Sequence, residues 1–327
     1  MVTVRAVSLD DPTATALWAE QQAELFARYG EPDADADFAL DMPPDALITS
    51  LVALTEEGEP VGTALLRWSP FDSGAGSAEV KRLFVRPQFR GNGISRTIMA
   101  AIEAAALRAG AVRLVLETGV EQPEALSLYS SLGYDRIEPY GEYMDDPRSV
   151  CFGRELPTRV LVVNGSIGAG KTKTAGAVFD VLAERGVRCA MIDGDYLCQA
   201  SPDAPGAAFN QGLYFQNLAA VAPVYRSAGY GVMVIARVVE DPEDRARHAQ
   251  AFGTDLVTVA RVTAPEEERK ARIVQRDIEP EWQQWGHART VELHAVLEKL
   301  QLDDVTVSNS GRSPRETATE LLDLLGW

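Results

Sequence analysis

The chain has 327 residues, of which 46% are hydrophobic and 24% are charged, and these proportions predict a globular protein rather than a disordered one. The net charge of −17 argues against a nucleic-acid partner, because an acidic surface repels phosphate backbones. No apolar run approaches about eighteen residues, so no membrane span is expected.

The N-terminus and the cysteines bear on location. The opening MVTVRAVSLDD lacks the charged, apolar and small-residue zones of a secretory signal. Cys151, Cys189 and Cys198 have no metal-binding spacing and are odd in number. Both observations predict a cytoplasmic protein, in which each cysteine is a small buried side chain.

The first half of the chain mixes strands with helices. Strands are predicted over 2–7, 51–57, 60–68, 77–85 and 113–118. Helices are predicted over Pro12–Tyr29, Pro43–Ser50, Ile94–Ala109 and Pro123–Gly133. The third of these places Ile94, Ile98 and Ile102 on one stripe. This mixture predicts an α+β unit.

Residues 86–96 (RPQFRGNGISR), called the first glycine loop, join a predicted strand to a predicted helix. The spacing Gln88-x-x-Gly91-x-Gly93 is common by chance, but in this setting backbone N–H groups would point together beside a helix N-terminus and hold an anion. The loop lacks the Lys-Thr pair that serves a triphosphate and magnesium, so an uncleaved pyrophosphate, as in coenzyme A, fits better. The predicted cofactor-binding residues are Gln88, Arg90, Gly91, Asn92, Gly93, Ile94 and Ser95.

The segments AEVKRLFVRPQFRGNGISRTIM and LVLETGVEQPEALSLYSSLGYDRI resemble, in this order, two motifs of the GNAT acetyltransferase superfamily. The resemblance spans nearly all of residues 1–156. It implies a GNAT-type mixed sheet with helices, acetyl-CoA as cofactor and an amine as acceptor. In this superfamily two strands splay apart around pantetheine, a tyrosine protonates the departing thiolate and a glutamate often acts as general base.

By this resemblance the tyrosine is Tyr129 and the base is Glu79, with Glu117 as a second candidate. Tyr129 also shares the apolar face of its helix, so a purely structural role is an alternative. Gln122 stands where many members have asparagine. Segment 31–45 carries six acids and no base. The corresponding segment covers the acceptor entrance in the superfamily, so a cationic amine is expected, although ordinary loop acidity explains the run equally well.

The regular pattern breaks at GRELPTRV, where Pro157 separates two strand-like runs. We therefore predict two domains, 1–156 and 157–327. Acidic side chains outnumber basic ones by 25 to 13 in the first domain and by 23 to 18 in the second. Most of this surface acidity serves solubility.

The second domain alternates apolar runs with helical stretches. Strands are predicted over 159–164, 188–193, 231–237, 255–262 and 304–308. Because these runs are continuously apolar, they indicate strands buried on both faces of a five-stranded parallel sheet. Ser313, Pro314 and Glu316 predict a capping box at the last helix. The domain is expected to be a doubly wound α/β fold.

The sequence VNGSIGAGKTKT (163–174) fits the pattern G-x-x-x-x-G-K-[ST] over residues 165–172, called the second glycine loop. Its glycines allow backbone N–H groups to turn around a phosphate, Lys171 supplies a charge to the outer phosphates, and the Thr172 hydroxyl can coordinate Mg²⁺. A chance match is expected in fewer than about one chain in a hundred. The loop therefore predicts ATP binding by Gly165, Ser166, Gly168, Ala169, Gly170, Lys171, Thr172 and Thr174.

Acids and arginines follow that could support phosphate transfer. Asp193 and Asp195 end a predicted strand, where either could take a proton from a hydroxyl or hold Mg²⁺ through water, or merely cap a turn. Arg269, Arg272 and Arg276 share one helical face that could close over phosphate or simply be solvated. Trp282 and Trp285 could line an acceptor pocket, although packing of a lid is an alternative.

This half, residues 158–327, resembles the small-molecule and nucleotide kinases of the P-loop class, such as adenylylsulfate kinase and chloramphenicol-phosphotransferase-like enzymes. The resemblance implies a mobile lid bearing Arg272 and Arg276, and adenine contacts near Asn309 and Arg312. One departure is that Arg237 stands where a Walker B acid is usual, with Glu240 or Asp241 as uncertain substitutes. Magnesium binding then rests on Thr172 and on Asp193 or Asp195.

The sequence thus predicts a bifunctional enzyme that acetylates a small amine and phosphorylates a small-molecule hydroxyl, as in metabolite or antibiotic modification. Two alternatives remain open. The second domain could be a nucleotide sensor without catalysis, or the first could acetylate proteins.

Overall fold

A computed structural model describes residues 2–30, 42–71, 76–201 and 208–327. The chain divides into two compact units, Met1–Leu156 and Pro157–Trp327. Most of the acidic segment 31–45, on which the expectation of a cationic acceptor rests, lies outside the described residues. No helix in the described part of the chain is long and apolar enough to cross a membrane.

The N-terminal unit is a mixed sheet with helices. Its strands, in chain order, are β1 (Val2–Val7), β2 (Leu47–Thr55), β3 (Pro60–Trp68), β4 (Ser77–Val85), β5 (Arg113–Gly119), β6 (Asp135–Arg136) and β7 (Ser149–Glu155). They pair in the order β1-β2-β3-β4-β5-β7-β6. The helices are α1 (Pro12–Tyr29), α2 (Ile94–Ala109) and α3 (Pro123–Ser131). Ile94, Ile98 and Ile102 of α2 are buried in the core, which confirms the predicted stripe.

The helix predicted over Pro43–Ser50 is wrong. A short 3₁₀ turn, Pro44–Ala46, is followed directly by β2, which begins at Leu47. The two prolines gave a valid start signal for a helical turn. However, β2 pairs with β1 on one side and β3 on the other, so the sheet overrides the local preference.

The sheet opens between β4 and β5, which form its parallel pair. Their register runs from Ser77 opposite Arg113 to Val80 opposite Leu116 and then stops, although both strands continue. Arg82 beyond this point has a left-handed backbone with φ 58°, and the β3–β4 register shifts beside it. A bulge of this kind bends a strand away from its neighbour.

The C-terminal unit is a five-stranded parallel sheet, as predicted, in the order β12-β11-β8-β10-β9. The strands are β8 (Arg159–Asn164), β9 (Cys189–Asp193), β10 (Val232–Ala236), β11 (Val257–Thr263) and β12 (Val305–Ser308). The helices are α4 (Lys171–Glu184), α5 (Gln211–Ser227), α6 (Asp244–Phe252), α7 (Glu266–Arg276), α8 (Pro280–Leu300) and α9 (Pro314–Leu325).

Apolar clusters cover both faces of this sheet, which explains why its strands are continuously hydrophobic. The predicted capping box at Ser313 and Glu316 is confirmed. Strand β8 lies between β10 and β11, so the chain order reverses at its end. In open parallel sheets such a reversal creates a crevice at the carboxyl ends of the strands, and the second glycine loop begins there.

Candidate functional site

The first glycine loop leaves a row of backbone donors free. Gly91 and Gly93 have φ of 78° and 77°, in the left-handed region that favours glycine. In the described residues, the N–H groups from Gly91 to Arg96 donate to no protein acceptor. Gly93 is the N-cap of α2 and has no side chain that could accept a hydrogen bond from these donors. The free N–H groups therefore lie at the N-terminus of the helix, where its dipole is positive. An anion can be held here by backbone alone.

The other residues predicted to bind through this loop act differently from one another. Arg90 turns away from the donors, because its guanidinium donates to the carbonyl of Val85 at 2.9 Å and to Glu24 at 2.6 Å. The Asn92 amide donates to loop carbonyls and stabilises the turn. The side chain of Ile94 is buried, so only its N–H is available. Gln88 lies exposed on the 3₁₀ turn Pro87–Phe89.

A cavity of about 600 Å³ lies where β4 and β5 separate, and the first glycine loop forms one of its borders. The buried hydroxyl-bearing ring of Tyr129 on α3 lines it, as do Glu117 of β5 and Glu142. Burial raises the pKa of the Tyr129 hydroxyl, with the negative charge of Glu117 adding to the effect. Tyr129 therefore stays protonated and can act as a proton donor. Its ring also packs against Tyr134 and Phe152, so it has the structural role as well.

Glu79 is fully buried, and its carboxylate is already bound by neighbours. One oxygen accepts from Arg67 at 2.8 Å, and the other accepts from Tyr140 at 3.2 Å and Tyr143 at 3.4 Å. Lys81 lies 3.8 Å away. Both oxygens of this carboxylate are therefore engaged by protein donors. The geometry favours Glu79 as the anchor of this network.

Glu117 is better suited to accept a proton. It faces the large cavity and also a second one of about 290 Å³ beside α1. Burial raises the pKa of its carboxyl group, while a hydrogen bond from Ser149 at 2.8 Å partly offsets this. A raised pKa makes a carboxylate a stronger base. Gln122 borders both cavities and caps α3 without a side-chain bond.

In the C-terminal unit, the second glycine loop is held closely from behind. Gly168 and Gly170 have φ of 75° and 100°. A Cβ on Gly168 would meet the carbonyl of Arg269, and one on Gly165 would meet that of Val262. In the described residues, the N–H groups of Gly168, Gly170, Lys171 and Thr172 donate to no protein acceptor. The loop therefore presents inward donors at the N-terminus of α4.

Lys171 is the first residue of α4, and its ammonium donates to the carbonyl of Ser166 at 3.2 Å. Burial lowers the pKa of Lys171 to about 8. An anion bound in the loop would restore the charge, because an opposite charge favours the protonated form. Thr174 is buried, and its N–H donates to the carbonyl of Gly170 at 2.9 Å. Its N–H therefore belongs to the hydrogen bonding of the helix.

The predicted acids meet at the end of β9. The Thr172 hydroxyl donates to Asp193 at 3.1 Å, and the N–H of Asp195 donates to the other Asp193 oxygen at 3.1 Å. The structure thus brings Thr172 and Asp193 together. The described residues contain no group of three His, Cys, Asp or Glu side chains suited to a metal. A Mg²⁺ ion here would take most of its ligands from phosphate oxygens and water, which is usual for this ion.

Arg237, which replaces the expected acid after β10, is buried and forms an ion pair with Asp195 at 2.7 Å. Its second nitrogen donates to Gln211 at 2.9 Å, and its guanidinium lies over the Tyr214 ring. Buried His248 in turn bonds Tyr214 at 2.8 Å. Sequence reasoning noted Arg237 as a departure but missed its partner, because Arg237 and Asp195 follow two different strands.

The two suggested substitutes for the missing acid have other partners. Glu240 accepts from Arg289 through both oxygens at 2.8 and 2.7 Å. Asp241 lies 3.5 Å from Arg247 and accepts from the N–H of Glu243 at 2.9 Å. Neither carboxylate is free to serve the second glycine loop.

The three arginines of α7 have three different environments. Arg269 is buried beneath the second glycine loop and donates to the Ser166 hydroxyl at 2.9 Å. Arg272 donates to Asn309 at 2.9 Å and to the Gly168 carbonyl at 3.3 Å. Arg276 donates twice, at 2.8 Å, to its neighbour Asp277.

Two more side-chain hydrogen bonds hold carbonyls of the second glycine loop away from its free N–H groups. Asn309 donates to the carbonyl of Ala169 at 2.6 Å, and Thr290 donates to that of Ile167 at 2.6 Å. Arg312 is paired with Glu320. Sequence reasoning missed Thr290 and the buried position of Arg269. Gly168 was the available signal for the burial of Arg269 beneath the loop, because a close approach of two backbone segments requires glycine.

A second large cavity, of about 650 Å³, adjoins Lys171 and Asp195. Its other walls include the segment 198–201, residues 209–211, the segment that follows β10 and part of α8. Trp285 lines it, while the neighbouring Trp282 does not belong to the lining residues in the described part of the chain.

Comparison with known proteins identifies the first unit. Residues 14–134 match the acetyltransferase (GNAT) family. An IAA acetyltransferase from Azospirillum brasilense is 41% identical over 85 residues, which are 26% of this chain and 56% of the relative. An aminoglycoside N(6')-acetyltransferase type 1 from Stenotrophomonas maltophilia is 28% identical over 131 residues, 39% of this chain and 84% of that relative.

Among solved structures, an acetyltransferase of the GNAT family from Staphylococcus aureus Mu50 shares 15% identity with a TM-score of 0.39, over 48% of this chain and 99% of that one. The match to the Azospirillum protein spans little more than half the length of that relative. The family match, the mixed sheet and the order of the two motifs agree, and the N-terminal unit is a GNAT acetyltransferase domain.

Proposed function

We propose that the N-terminal unit transfers an acetyl group from acetyl-CoA to the amine of a small, cationic molecule. One observation carries this proposal. The free N–H groups of the first glycine loop border the same cavity as Tyr129 and Glu117, where β4 and β5 separate. Gly91 and Gly93 fit a pyrophosphate, because a Cβ built on either meets nothing within 4 Å and the backbone is open to a ligand.

Each residue has a role that its surroundings support. The thioester would supply an activated acyl carbon. Glu117 takes a proton from the attacking amine, and Tyr129 gives a proton to the departing sulfur. The carboxylates of Glu117 and Glu142 in the lining can attract a cation, against the opposing charges of Lys81 and Arg82 in the same lining. The relative named for aminoglycosides acts, by its name, on small molecules, which favours a small acceptor over a protein.

Kinetics of acetyl transfer to a library of small amines, followed by mass, test this assignment. The variant Tyr129→Phe should lower kcat by about a hundredfold with little change in KM, since it removes only the proton donor. Tyr134→Phe is the matched control, because the Tyr134 hydroxyl donates to Glu103 and its ring also contacts Tyr129. Equal effects of both variants, or acetylation of lysate proteins alone, would contradict the proposal.

We further propose that the C-terminal unit transfers phosphate from ATP, with Mg²⁺, to the hydroxyl of a small molecule. The observation that supports it is the second glycine loop, whose inward N–H groups and half-buried Lys171 stand beside Asp195 and a large cavity. Thr172 and Asp193 fit a hydrated Mg²⁺.

In this proposal Asp195 accepts the proton of the acceptor hydroxyl, whose oxygen forms the new bond to the γ-phosphorus as the bond to the β-phosphate oxygen breaks. Lys171 and the loop N–H groups stabilise the negative charge of the phosphates. Arg272 and Arg276 stay predicted lid residues, and Asn309 stays a predicted neighbour of adenine, as does Arg312.

The variant Asp195→Asn separates transfer from sensing. Phosphate transfer to an acceptor should fall by about a thousandfold, while the Kd for ATP should change less than about threefold. Asp193→Asn is the companion variant, and it should instead raise the Mg²⁺ concentration needed. If the unchanged chain binds ATP but transfers no phosphate to any library compound, a nucleotide sensor becomes the better account.

A further inference from the structure

The acetyltransferase domain contains a single lysine. Of the thirteen basic side chains in residues 1–156, twelve are arginine, and the lysine is Lys81. An arginine guanidinium stays protonated and its electron pairs are delocalised, so it does not attack a thioester. A lysine amine, by contrast, becomes a nucleophile once it loses a proton. Lys81 therefore carries the one side-chain amine of these residues that acetyl transfer could modify.

Lys81 stands at the point where β4 and β5 separate. The last paired residues are Val80 and Leu116, and Lys81 is the next residue of β4. Its side chain lines the cavity of about 600 Å³, together with the first glycine loop, Tyr129 and Glu117. This side chain is only 22% exposed. The amine is therefore placed inside the cavity proposed for acetyl transfer, where a second protein molecule has little access to it.

Acceptor groups hold the Lys81 ammonium in this cavity. It donates to the hydroxyl of Tyr143 and lies 3.8 Å from one oxygen of Glu79 and 3.8 Å from one of Glu142. Burial raises the pKa of Glu117, whereas the charge of Lys81 acts against this rise. Lys81 thus lies within electrostatic reach of Glu117, the carboxylate better suited to accept a proton.

We propose that the acetyltransferase domain acetylates its own Lys81 with acetyl-CoA. Glu117 takes a proton from the ammonium, the amine nitrogen bonds to the thioester carbonyl carbon, the C–S bond breaks, and Tyr129 protonates the departing sulfur. The nitrogen loses two protons in all, of which one ends on the thiol of coenzyme A and the other is released. This acceptor lies within the chain, so the inference goes beyond the proposed small amine, but it rests on the proposed roles of Glu117 and Tyr129.

Incubation of the full chain with acetyl-CoA, followed by peptide mass mapping, tests the proposal. The exposed Lys173 and Lys299 of the second unit measure uncatalysed acetylation by the thioester. Lys81 should be modified at least about a hundredfold faster than either, because it is held beside the bound thioester. The reaction takes place within one chain, so the rate constant should not change on about a hundredfold dilution. Equal rates at the three lysines, or a rate constant that rises with chain concentration, would overturn the proposal.

Variants separate the position of the amine from its chemistry. Lys81→Arg keeps the positive charge but removes the amine, so the first unit should gain no acetyl group on any side chain. The matched control combines Lys81→Arg with Arg108→Lys, which places a lysine at the exposed end of α2. The introduced lysine should react no faster than Lys173. Tyr129→Phe should slow the modification of Lys81 by about a hundredfold. Rapid modification of the introduced lysine, or an unchanged rate in Tyr129→Phe, contradicts the proposal.

Acetyl transfer to the library of small amines is measured on the same preparation. If Lys81 gains an acetyl group and no library amine does, the proposed small-molecule acceptor fails and self-acetylation stands. If library amines are acetylated while Lys81 reacts no faster than the exposed lysines, the inference fails and the proposed function stands.

Discussion

The two glycine loops have a similar backbone arrangement but differ in the residues packed around them. Each follows a strand, opens a helix and presents backbone N–H groups at the N-terminus of that helix, α2 or α4. A Cβ on Gly91 or Gly93 would meet nothing within 4 Å, whereas one on Gly168 would meet the Arg269 carbonyl. The first loop is open behind its glycines, and the second is packed against α7.

The two glycine loops also differ in the charged side chains beside their N–H groups. In the first loop, Arg90 is held by Val85 and Glu24, and Arg96 donates to the Ser131 hydroxyl. The second loop has the half-buried Lys171 at its centre. An open loop without a central lysine suits a pyrophosphate that is bound and released intact. A closely packed loop with a central lysine suits a phosphate whose charge changes during transfer.

The largest test of this difference is Lys171→Met. Removing the central cation should reduce phosphate transfer at least about a thousandfold, because no other lining cation lacks a partner in the described residues. Acetyl transfer on the same chain should stay within about twofold. Parallel rate assays of both reactions provide the measurement, and a matching loss of acetylation would show that the two loops are not independent.

The packing difference is tested with alanine. Gly168→Ala adds a backbone clash to the cost of a left-handed alanine, so it should lower the free energy of unfolding of its unit by about 3 kcal/mol. Gly93→Ala has space for the methyl group and should cost its unit about 1 kcal/mol. Chemical denaturation of each variant measures both values. An equal loss of unfolding free energy in both variants would mean that the second loop can shift to accommodate the added methyl group.

The pH dependence of ligand binding is the smallest of these effects. The pKa of Lys171 is lowered to about 8 by burial, and a phosphate ligand favours the charged form. Below about pH 8 the lysine is already protonated and the Kd for ATP should be flat. Above it, a proton must be taken up on binding, so the affinity should fall up to about tenfold per pH unit. Titration calorimetry from about pH 7 to about pH 10 gives the curve.

The Kd for coenzyme A is the internal comparison, because the first loop has no lysine and should show no such fall over the same range. A Kd for ATP that does not change with pH would mean that Lys171 keeps its ordinary pKa and that its surroundings stabilise the charged ammonium.

Several predictions made from single segments agree with the structure. The helix from Ile94 to Ala109, the five parallel strands and the capping box at Ser313 depend on periodicity and end signals that neighbouring residues supply. The helix over Pro43–Ser50 failed because partners far along the chain decide that a segment flanked by two strands joins the sheet.

The order of residues along this chain determined where backbone donors can gather, because glycine spacing before an amphipathic helix is a local property. It also determined the five-stranded parallel sheet through the pattern of apolar runs. Only the tertiary structure decided which side chains are already bound by others. It joined Glu79 to Arg67 and Arg237 to Asp195, left Glu117 at the cavity, and buried Arg269 beneath the loop. Ion pairing and desolvation depend on neighbours in space, which a linear pattern does not specify.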